Sequence, residues 1–309
     1  MNELSLLCLV GATGTGKTAA ALALATQFGG GVVNFDSRQV YKGLGVVTAQ
    51  PTAAERAVCP HALYGYLPID TAVRAGAFSG EILGQARAYR EQGLVPILVG
   101  GTGLYLKSLV DGLAPIPDIE PRVREDVVRE CRAHGSSVLH GRLQGIDPDY
   151  AAKIHPNDPQ RICRALEVFT ATGRTLTWWH GQTRRPAGLR VLKIGLEADL
   201  ATLTPRLARR IDLMLEAGAE EEVRLAYESC PDRFAPGLSG IGCPELLSVL
   251  LDGASLEEAR RDWLRSTRAY AKRQLTWFHK DREIFWHHPE DLEGMVARAR
   301  RFVDVAFAE

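Results

Sequence analysis

The sequence predicts an α/β protein in which helices flank a parallel β-sheet and a helical module is inserted into the chain. Three observations predict this architecture. Short β-rich runs alternate with helical stretches over the first 110 residues, which is typical of parallel sheets. A charged segment without obvious core strands then continues to about Pro186, and a strand-like run at 191–196 returns the chain to the sheet. We therefore expect a core domain of residues 1–116 and 189–309, with a helical module at 117–188.

The elements can be assigned in chain order from their apolar patterns. Runs of apolar residues predict buried parallel strands at 4–10, 32–35, 94–99 and 191–196. Helical patterns are expected at 17–28, 76–91 and 103–110. The chain after the last strand is expected to be helical, with a break between Pro231 and Pro244.

The composition is that of an ordinary globular protein. The chain has 309 residues, of which 46% are hydrophobic and 24% charged, so it can bury a large core. No apolar run approaches the roughly 18 residues of a membrane-spanning helix, and no basic region precedes the first apolar run. We therefore expect a cytoplasmic protein without a membrane partner. The six cysteines contain no CxxC pair, which argues against a zinc cluster or a disulfide framework.

A phosphate-binding loop, or P-loop, follows the first predicted strand. Residues 11–18 read GATGTGKT, which matches GxxxxGK[ST] and opens an alanine-rich helix. Such a core is typical of P-loop NTPases, in which backbone N–H groups and a lysine hold a phosphate and Thr18 can bind Mg²⁺. The motif predicts a di- or triphosphate ligand and leaves its identity open. The candidate diphosphate- or nucleotide-binding residues are Gly11, Ala12, Thr13, Gly14, Thr15, Gly16, Lys17 and Thr18, and the candidate metal ligand is Thr18.

A second glycine-rich loop stands where an ATPase would have an acidic strand end. An apolar strand ending in Asp or Glu would complete the Mg²⁺ and water chemistry of an ATPase, but the run at 94–99 ends in GGTGLY. In an open α/β sheet the two loops would lie side by side, where Thr102 could bind the same pyrophosphate. The alternative is that these glycines only permit close packing of a helix on a strand.

A carboxylate is expected at the same edge of the sheet. Asp36 follows the second predicted strand and begins the sequence DSRQVY. We interpret Asp36 as the general base, although an aspartate at this place could instead cap a helix. In a small-molecule kinase the same carboxylate would orient an acceptor hydroxyl, so this segment alone does not separate a kinase from another transferase.

Two segments of the chain are strongly basic although the net charge is zero. Residues 161–190 contain six arginines and one acid, and residues 260–280 contain seven basic residues and one acid. Both runs also contain aromatic residues, a combination that suits a single-stranded RNA loop. Each run could also be a solvated helix face.

Taken together, these motifs resemble those of the tRNA dimethylallyltransferases of the bacterial type. DSRQVY, GGTGLY and RQLTWF in this order are far more specific than the P-loop, and the resemblance covers nearly the whole chain. Its landmarks are GATGTGKT at 11, DSRQVY at 36, PHALYGYLPI at 60, GGTGLYLKSL at 100, NDPQRICRALEV at 157, RLARRIDLML at 206, GLSGIG at 237 and AKRQLTWF at 271.

The resemblance implies transfer of the dimethylallyl group from dimethylallyl diphosphate to N6 of the adenosine immediately 3′ of certain tRNA anticodons. The P-loop and Mg²⁺ would hold the leaving diphosphate rather than ATP, and the target adenosine would be flipped out of the anticodon loop. The implied catalytic residues are Asp36, Thr102 and Arg210. The implied tRNA-binding residues are Asp36, Ser37, Arg38, Gln39, Thr102, Arg124, Gln160, Arg161, Ile162, Cys163, Arg164, Lys272, Arg273 and Gln274.

On this interpretation the module at 117–188 binds the anticodon stem-loop, and the protein acts as a monomer. Three places depart from the family pattern, namely Gln50, Ala62 and Cys243-Pro244, where a lysine, a second histidine and an aromatic–lysine pair are usual. The family's eukaryotic relatives carry a zinc finger, and we expect none here because His287-His288 lack a cysteine pair.

Two other functions stay open. A small-molecule or nucleoside kinase would bind ATP or GTP tightly and transfer a phosphoryl group. A catalytically inactive RNA-binding module would bind tRNA without any dependence on an allyl diphosphate.

Overall fold

The computed structural model, which describes residues 3–306, divides into two compact units. The first unit comprises the chain up to Val110 and from Ala187 onwards, and the second is Asp111–Pro186. In the part of the chain that the structure describes, no helix is long and apolar enough to cross a membrane.

The first unit is built on a parallel sheet with the strand order β3-β2-β4-β1-β5-β6. This confirms the predicted α/β fold with a parallel sheet flanked by helices. The strands within residues 3–306 are β1 (Leu4–Gly11), β2 (Gly30–Asn34), β3 (His61–Ala62), β4 (Val95–Val99), β5 (Leu189–Leu196) and β6 (Ile284–His287).

The central strand β1 is buried along its whole length, as expected for an inner strand of a sheet covered on both faces. Its side chains alternate between two hydrophobic clusters. Leu6 and Cys8 point to one face, where they join Phe78 and Phe278. Leu7 points to the other face, where the helices at Lys17–Phe28 and Leu292–Ala306 supply apolar side chains.

Helices cover both faces of the sheet. Between the strands, and after β5 and β6, the described chain forms α1 (Lys17–Phe28), α2 (Ala53–Val58), α3 (Ala75–Glu91), α4 (Gly103–Asp111), α10 (Leu200–Glu216), α11 (Ala219–Ser229), α12 (Cys243–Asp252), α13 (Leu256–Phe278) and α14 (Leu292–Ala306). The predicted break at 231–244 contains one 3₁₀ turn, Gly237–Ser239, and ends where α12 begins. Pro244 lies in the first turn of α12, where a missing N–H costs nothing.

Two strands were not predicted. Both lie at an edge of the sheet, and β3 has only two residues. The sequence pattern predicts a helix where the structure has β6. The buried Lys193 of β5 forms ion pairs with residues just before β6, and these pairs place the segment beside β5. The Lys193 Nζ atom lies 2.7 Å from Asp281 Oδ2 and 2.9 Å from Glu283 Oε2.

The second unit is helical and has a hydrophobic core of its own. Its helices are α5 (Pro121–His134), α6 (Ser136–Ile146), α7 (Pro148–Ala151), α8 (Pro159–Thr172) and α9 (Leu176–Gly181). Leu143, Ile162 and Leu166 are among its buried core residues. The buried carboxylate of Asp147 joins two of these helices, because it accepts hydrogen bonds from the N–H of Tyr150 at 3.2 Å and from the hydroxyl of Thr177 at 2.6 Å.

The two ends of this unit meet. A Cβ atom added to Gly112 would lie 2.1 Å from the carbonyl oxygen of Arg184. Next to this contact, Asp111 Oδ1 lies 3.1 Å from a guanidinium nitrogen of Arg185. The first and last residues of the helical unit therefore lie next to each other.

Candidate active site

A cavity of about 1240 Å³ opens at the carboxyl edge of the sheet in the first unit. It is lined by the loops that follow β1, β2 and β4, and by residues of α10 and α13. Carboxyl strand ends are the usual ligand-binding place of open α/β sheets.

The P-loop occupies one end of the cavity. Gly14 and Gly16 have φ angles of +84° and +86°, which residues with a side chain rarely adopt. No side chain caps α1, so the positive end of the helix is directed at the loop. Of the predicted diphosphate-binding residues, Thr13, Gly14, Gly16, Lys17 and Thr18 line the cavity, whereas Ala12 and Thr15 are fully buried.

Two cations stand beside this loop. Lys17 Nζ donates to the carbonyl oxygens of Gly11 at 3.0 Å and Ala12 at 2.8 Å. Burial lowers the pKa of Lys17 to about 8, although the negative charge of Asp36 acts in the opposite direction. Burial also lowers the pKa of Arg210, whose guanidinium lies 3.4 Å from Thr13 Oγ1. The structure thus brings two cations of the predicted site together with Asp36.

Asp36 is held in a turn rather than at the start of a helix. Its backbone N–H donates to Asn34 Oδ1 at 2.7 Å, and its Oδ1 atom accepts from the N–H of Arg38 at 2.9 Å. The residues after Asp36 form turns, so the helix-cap alternative is wrong. Its other oxygen, Oδ2, lies 3.5 Å from the place that a Cβ atom of Gly101 would occupy. The carboxylate is therefore next to the second glycine-rich loop.

The second loop is packed too tightly for side chains. A Cβ atom at Gly101 would lie 2.2 Å from Gln274 Nε2, and one at Gly103 would lie 2.2 Å from the ring of Trp277. The close-packing role considered for these glycines is thus real. It leaves Thr102 at the cavity, where its Oγ1 atom is buried without a well-formed hydrogen bond and the Tyr270 hydroxyl lies close by.

One face of α13 forms a wall of the cavity. Trp263, Thr267, Tyr270 and Gln274 lie on it at helical spacing. Burial, together with the charge of Asp36, raises the pKa of Tyr270, and the Thr267 hydroxyl is buried without a hydrogen-bond partner. Only Gln274 of these four was a predicted site residue. The helical spacing upstream of RQLTWF is the signal that identifies the other three.

The loop at residues 44–50, called here the cavity loop, is fixed by three side chains. Gln39 Nε2 donates to the carbonyl of Thr48 at 3.0 Å, and Gln50 Nε2 donates to that of Tyr41 at 2.8 Å. The carboxylate of Glu222 accepts from two N–H groups of the loop, at 2.9 and 2.8 Å. The amide group of Gln39, one of the residues predicted to bind tRNA, is therefore engaged in hydrogen bonds within the protein. Gln50, one of the departures from the family pattern, has a structural role in the same loop.

Further predicted RNA-binding residues lie around the cavity. Arg38 is exposed and donates to the Ser239 hydroxyl at 2.8 Å. Ser37 interacts with the Tyr105 hydroxyl, and Lys272 and Arg273 are exposed on α13. Cations on an exposed helix face can reach a phosphate backbone.

The remaining predicted RNA-binding residues belong to the helical unit. Arg124 is exposed on α5, and Gln160, Arg161 and Arg164 are exposed on α8. Ile162 lies between them in sequence but is fully buried in the core, and Cys163 packs against that core. Ile162 as an RNA contact is therefore corrected to a core residue, because successive side chains on a helix point in different directions.

The chain is similar in sequence to known transferases. A family model described as IPP transferase matches residues 39–281. The chain is 54% identical to the tRNA dimethylallyltransferase of Nitratidesulfovibrio vulgaris, with 98% of this chain and 94% of that protein covered. It is 48% identical to the tRNA dimethylallyltransferase of Maridesulfovibrio salexigens, with 94% of each covered.

Solved structures agree with the sequence comparison. The full-length tRNA isopentenylpyrophosphate transferase from Bacillus halodurans is 30% identical, has a TM-score of 0.73 and matches over 99% of both chains. A eukaryotic dimethylallyltransferase acting on tRNA is 28% identical and has a TM-score of 0.78, over 97% of this chain and 77% of that one.

Proposed function

The chain belongs to the IPP transferase family, and from this premise we propose that it transfers a dimethylallyl group from dimethylallyl diphosphate to tRNA. The acceptor is N6 of the adenosine immediately 3′ of the anticodon, and diphosphate is the second product. The observation that carries this proposal is the convergence of the P-loop, Asp36 and Thr102 on one cavity, where strand β4 is followed by Gly100 instead of an acid. A reaction that cleaves no γ-phosphate and activates no water has no need of that acid.

The leaving group would bind at the P-loop. Negative charge grows on the diphosphate as the allylic C–O bond breaks, and Lys17 and Arg210 are placed to offset it. The planar guanidinium of Arg210 can bind two phosphate oxygens at once. Thr102 would add a hydroxyl from the second loop, since its Oγ1 atom is not otherwise well bonded.

The residues present fit Mg²⁺ carried by the diphosphate. No group of three or more His, Cys, Asp or Glu residues that could hold a metal exists within residues 3–306. Thr18 lines the cavity beside Lys17 and would be the protein ligand. Mg²⁺ commonly uses one or two protein ligands together with phosphate oxygens and water, and bound there it would neutralise charge on the leaving group.

Asp36 would accept the proton from the adenine amine. The N6 lone pair is delocalised into the ring, so the amine becomes a useful nucleophile only if its proton is removed as the N–C bond forms. The Oδ1 atom of Asp36 is fixed by the N–H of Arg38, which orients the carboxylate and leaves Oδ2 near Gly101.

We also propose that the exposed arginines of the helical unit bind the anticodon stem-loop. Arg124, Arg161 and Arg164 are exposed there, and Trp178 offers an exposed ring for stacking on a base. The protein would act as a monomer, since the P-loop, Asp36 and Thr102 all belong to one unit of a single chain. It would act in the cytoplasm, since its relatives are enzymes that modify tRNA.

The test is to incubate the purified protein with unmodified tRNA, Mg²⁺ and dimethylallyl diphosphate, without ATP. The tRNA is then digested, and the masses of its nucleosides are measured by mass spectrometry. We expect adenosine to gain the mass of one dimethylallyl group. No gain, together with phosphoryl transfer to a small acceptor once ATP is supplied, would show that the protein is a P-loop kinase instead.

A further inference from the structure

The Gln274 amide connects the two glycine-rich loops of the cavity. Its Oε1 atom accepts a hydrogen bond from the N–H of Thr13 at 2.9 Å. Its Nε2 atom donates to the carbonyl oxygen of Gly101, also at 2.9 Å. Gln274 is only 5% exposed, and the hydrogen bond to Gly101 is fully buried while the one from Thr13 is partly buried at the cavity.

Each loop brings a different part of the proposed chemistry to this connection. On the P-loop side, the side chain of Thr13 lies 3.4 Å from the guanidinium of Arg210. On the other side, Gly101 precedes Thr102 and lies beside Asp36 Oδ2. The amide therefore lies between the groups proposed to hold the diphosphate and the carboxylate proposed to take the proton.

The position suits an amide better than other side chains. One end must accept from an N–H group and the other must donate to a carbonyl, and an amide does both in one planar group that carries no charge and does not titrate. The missing Cβ of Gly101 provides the room, because a Cβ atom there would lie 2.2 Å from Nε2. A buried amide held in this way cannot turn towards RNA without leaving a backbone N–H and a carbonyl unpaired.

We propose that Gln274 is a positioning residue that fixes the P-loop relative to Asp36 and Thr102, and that it is not an RNA contact. This inference rests on the proposed prenyl transfer. Reaction rates depend steeply on the distance and alignment of the reacting groups. The amide thus sets the separation between the leaving diphosphate and the base through the backbone of two loops.

The test compares Gln274→Met, which keeps the length of the side chain but has no amide, with Thr276→Val as a matched control. Thr276 is exposed on the same helix, and its hydroxyl donates only to the carbonyl of Lys272. For Q274M we expect the Kd of Mg²⁺-pyrophosphate and the KM of dimethylallyl diphosphate to rise about fivefold, and kcat to fall about tenfold or more. The Kd of an anticodon stem-loop and its salt dependence should stay within about twofold of wild type, and T276V should match wild type throughout.

Two results would overturn the proposal. Weaker stem-loop binding with an unchanged pyrophosphate Kd would make Gln274 an RNA contact. A lower melting temperature with unchanged pyrophosphate Kd and unchanged kcat per folded molecule would make it a purely structural residue. If Q274M does not fold, Gln274→Asn serves instead, because it retains the amide on a shorter stem and should change the same parameters. Failure of the wild-type protein to prenylate tRNA would contradict the proposed function, while the pyrophosphate arm would still test Gln274.

Discussion

Burial makes the charge of Lys17, and with it anion binding at the P-loop, sensitive to pH. Because its pKa is lowered to about 8, the ammonium group loses its proton as the pH rises through that value. The protonated form is the one that attracts a diphosphate, so affinity should be highest well below pH 8 and should fall as the pH rises through that value.

Above pH 8, we expect the Kd of Mg²⁺-pyrophosphate for the wild-type protein to rise more steeply than the Kd for Lys17→Arg. The difference between the two should reach up to about tenfold per pH unit. The arginine variant keeps its charge and therefore corrects for ionisation of the ligand. Isothermal calorimetry between pH 6.5 and 9.5 measures both proteins. Parallel curves would mean that Lys17 stays protonated over this range.

Asp36→Asn removes the base while retaining the turn. The side-chain oxygen of the introduced asparagine can still accept from the N–H of Arg38, as Oδ1 does in the native protein. We expect the rate of a single turnover to fall about 100-fold or more, with both substrates bound nearly as well as by wild type. Rapid-quench measurement with saturating tRNA tests this, and turnover near the wild-type rate would place the base elsewhere.

Individual site residues were predictable from motifs, but their contacts were not. DSRQVY and GGTGLY place Asp36 and Thr102 at the same edge of the sheet, since both follow parallel strands. Nothing local reveals that the Gln274 amide reaches Thr13, because the two residues are 261 positions apart. The motifs therefore predict RNA contacts for Gln274 and Ile162, and the burial of both side chains in the protein does not support those contacts.

The edge strand β6 depends on one buried cation. The side chain of Lys193 is 7% exposed and is paired with Asp281 and Glu283, which immediately precede β6. Removing the cation leaves two carboxylates close together beside an apolar sheet.

For Lys193→Met we expect the free energy of unfolding to fall by about 1–2 kcal/mol, less than for a fully buried pair because Glu283 can hydrate. Urea denaturation measures this, and the control is Lys280→Met, which removes an exposed cation in the turn that follows α13. Equal stability of the two variants would show that hydration of the carboxylates makes up for the lost cation.

At the level of elements, prediction succeeded where burial is complete. The strands β1, β2 and β4 are buried along their whole length and β5 over its last five residues, and each contains a run of mainly apolar residues, since both faces of the sheet are covered. The short edge strands β3 and β6 have no such run, and their hydrogen bonds to β2 and β5 come from tertiary structure. The helical spacing in the sequence marks one face of α13, but that this face lines a cavity follows only from the packing of α10 and the loops.

For the whole molecule, the exposed arginines of the helical unit should contribute to the attraction for tRNA. We expect Arg161→Ala to weaken tRNA binding about fivefold to tenfold at low salt and to reduce the slope of log Kd against log salt by about one. The matched control is Arg142→Ala in the same unit. Its guanidinium is held by both carboxylate oxygens of Glu130, at 3.0 and 2.9 Å, whereas that of Arg161 makes one longer contact, 3.4 Å, with Asp158 Oδ2.

Filter binding over a range of salt concentrations distinguishes the two variants. An Arg161→Ala protein with wild-type affinity and slope would remove α8 from the proposed RNA surface. Loss of tRNA binding in both variants would instead indicate a general effect of charge.

The order of strands has a consequence for synthesis on the ribosome. The middle strand β1 is made before the other strands of the sheet, but its partner β5, which pairs with it from Leu189 to Leu196, is made only after the whole helical unit has been translated. Until then one side of β1 presents unpaired backbone groups, the kind of edge that invites aggregation. The helical unit is continuous in sequence and has its own core, so it can fold as it leaves the exit tunnel. The helical unit would thus fold first, and β5 would pair with β1 only afterwards.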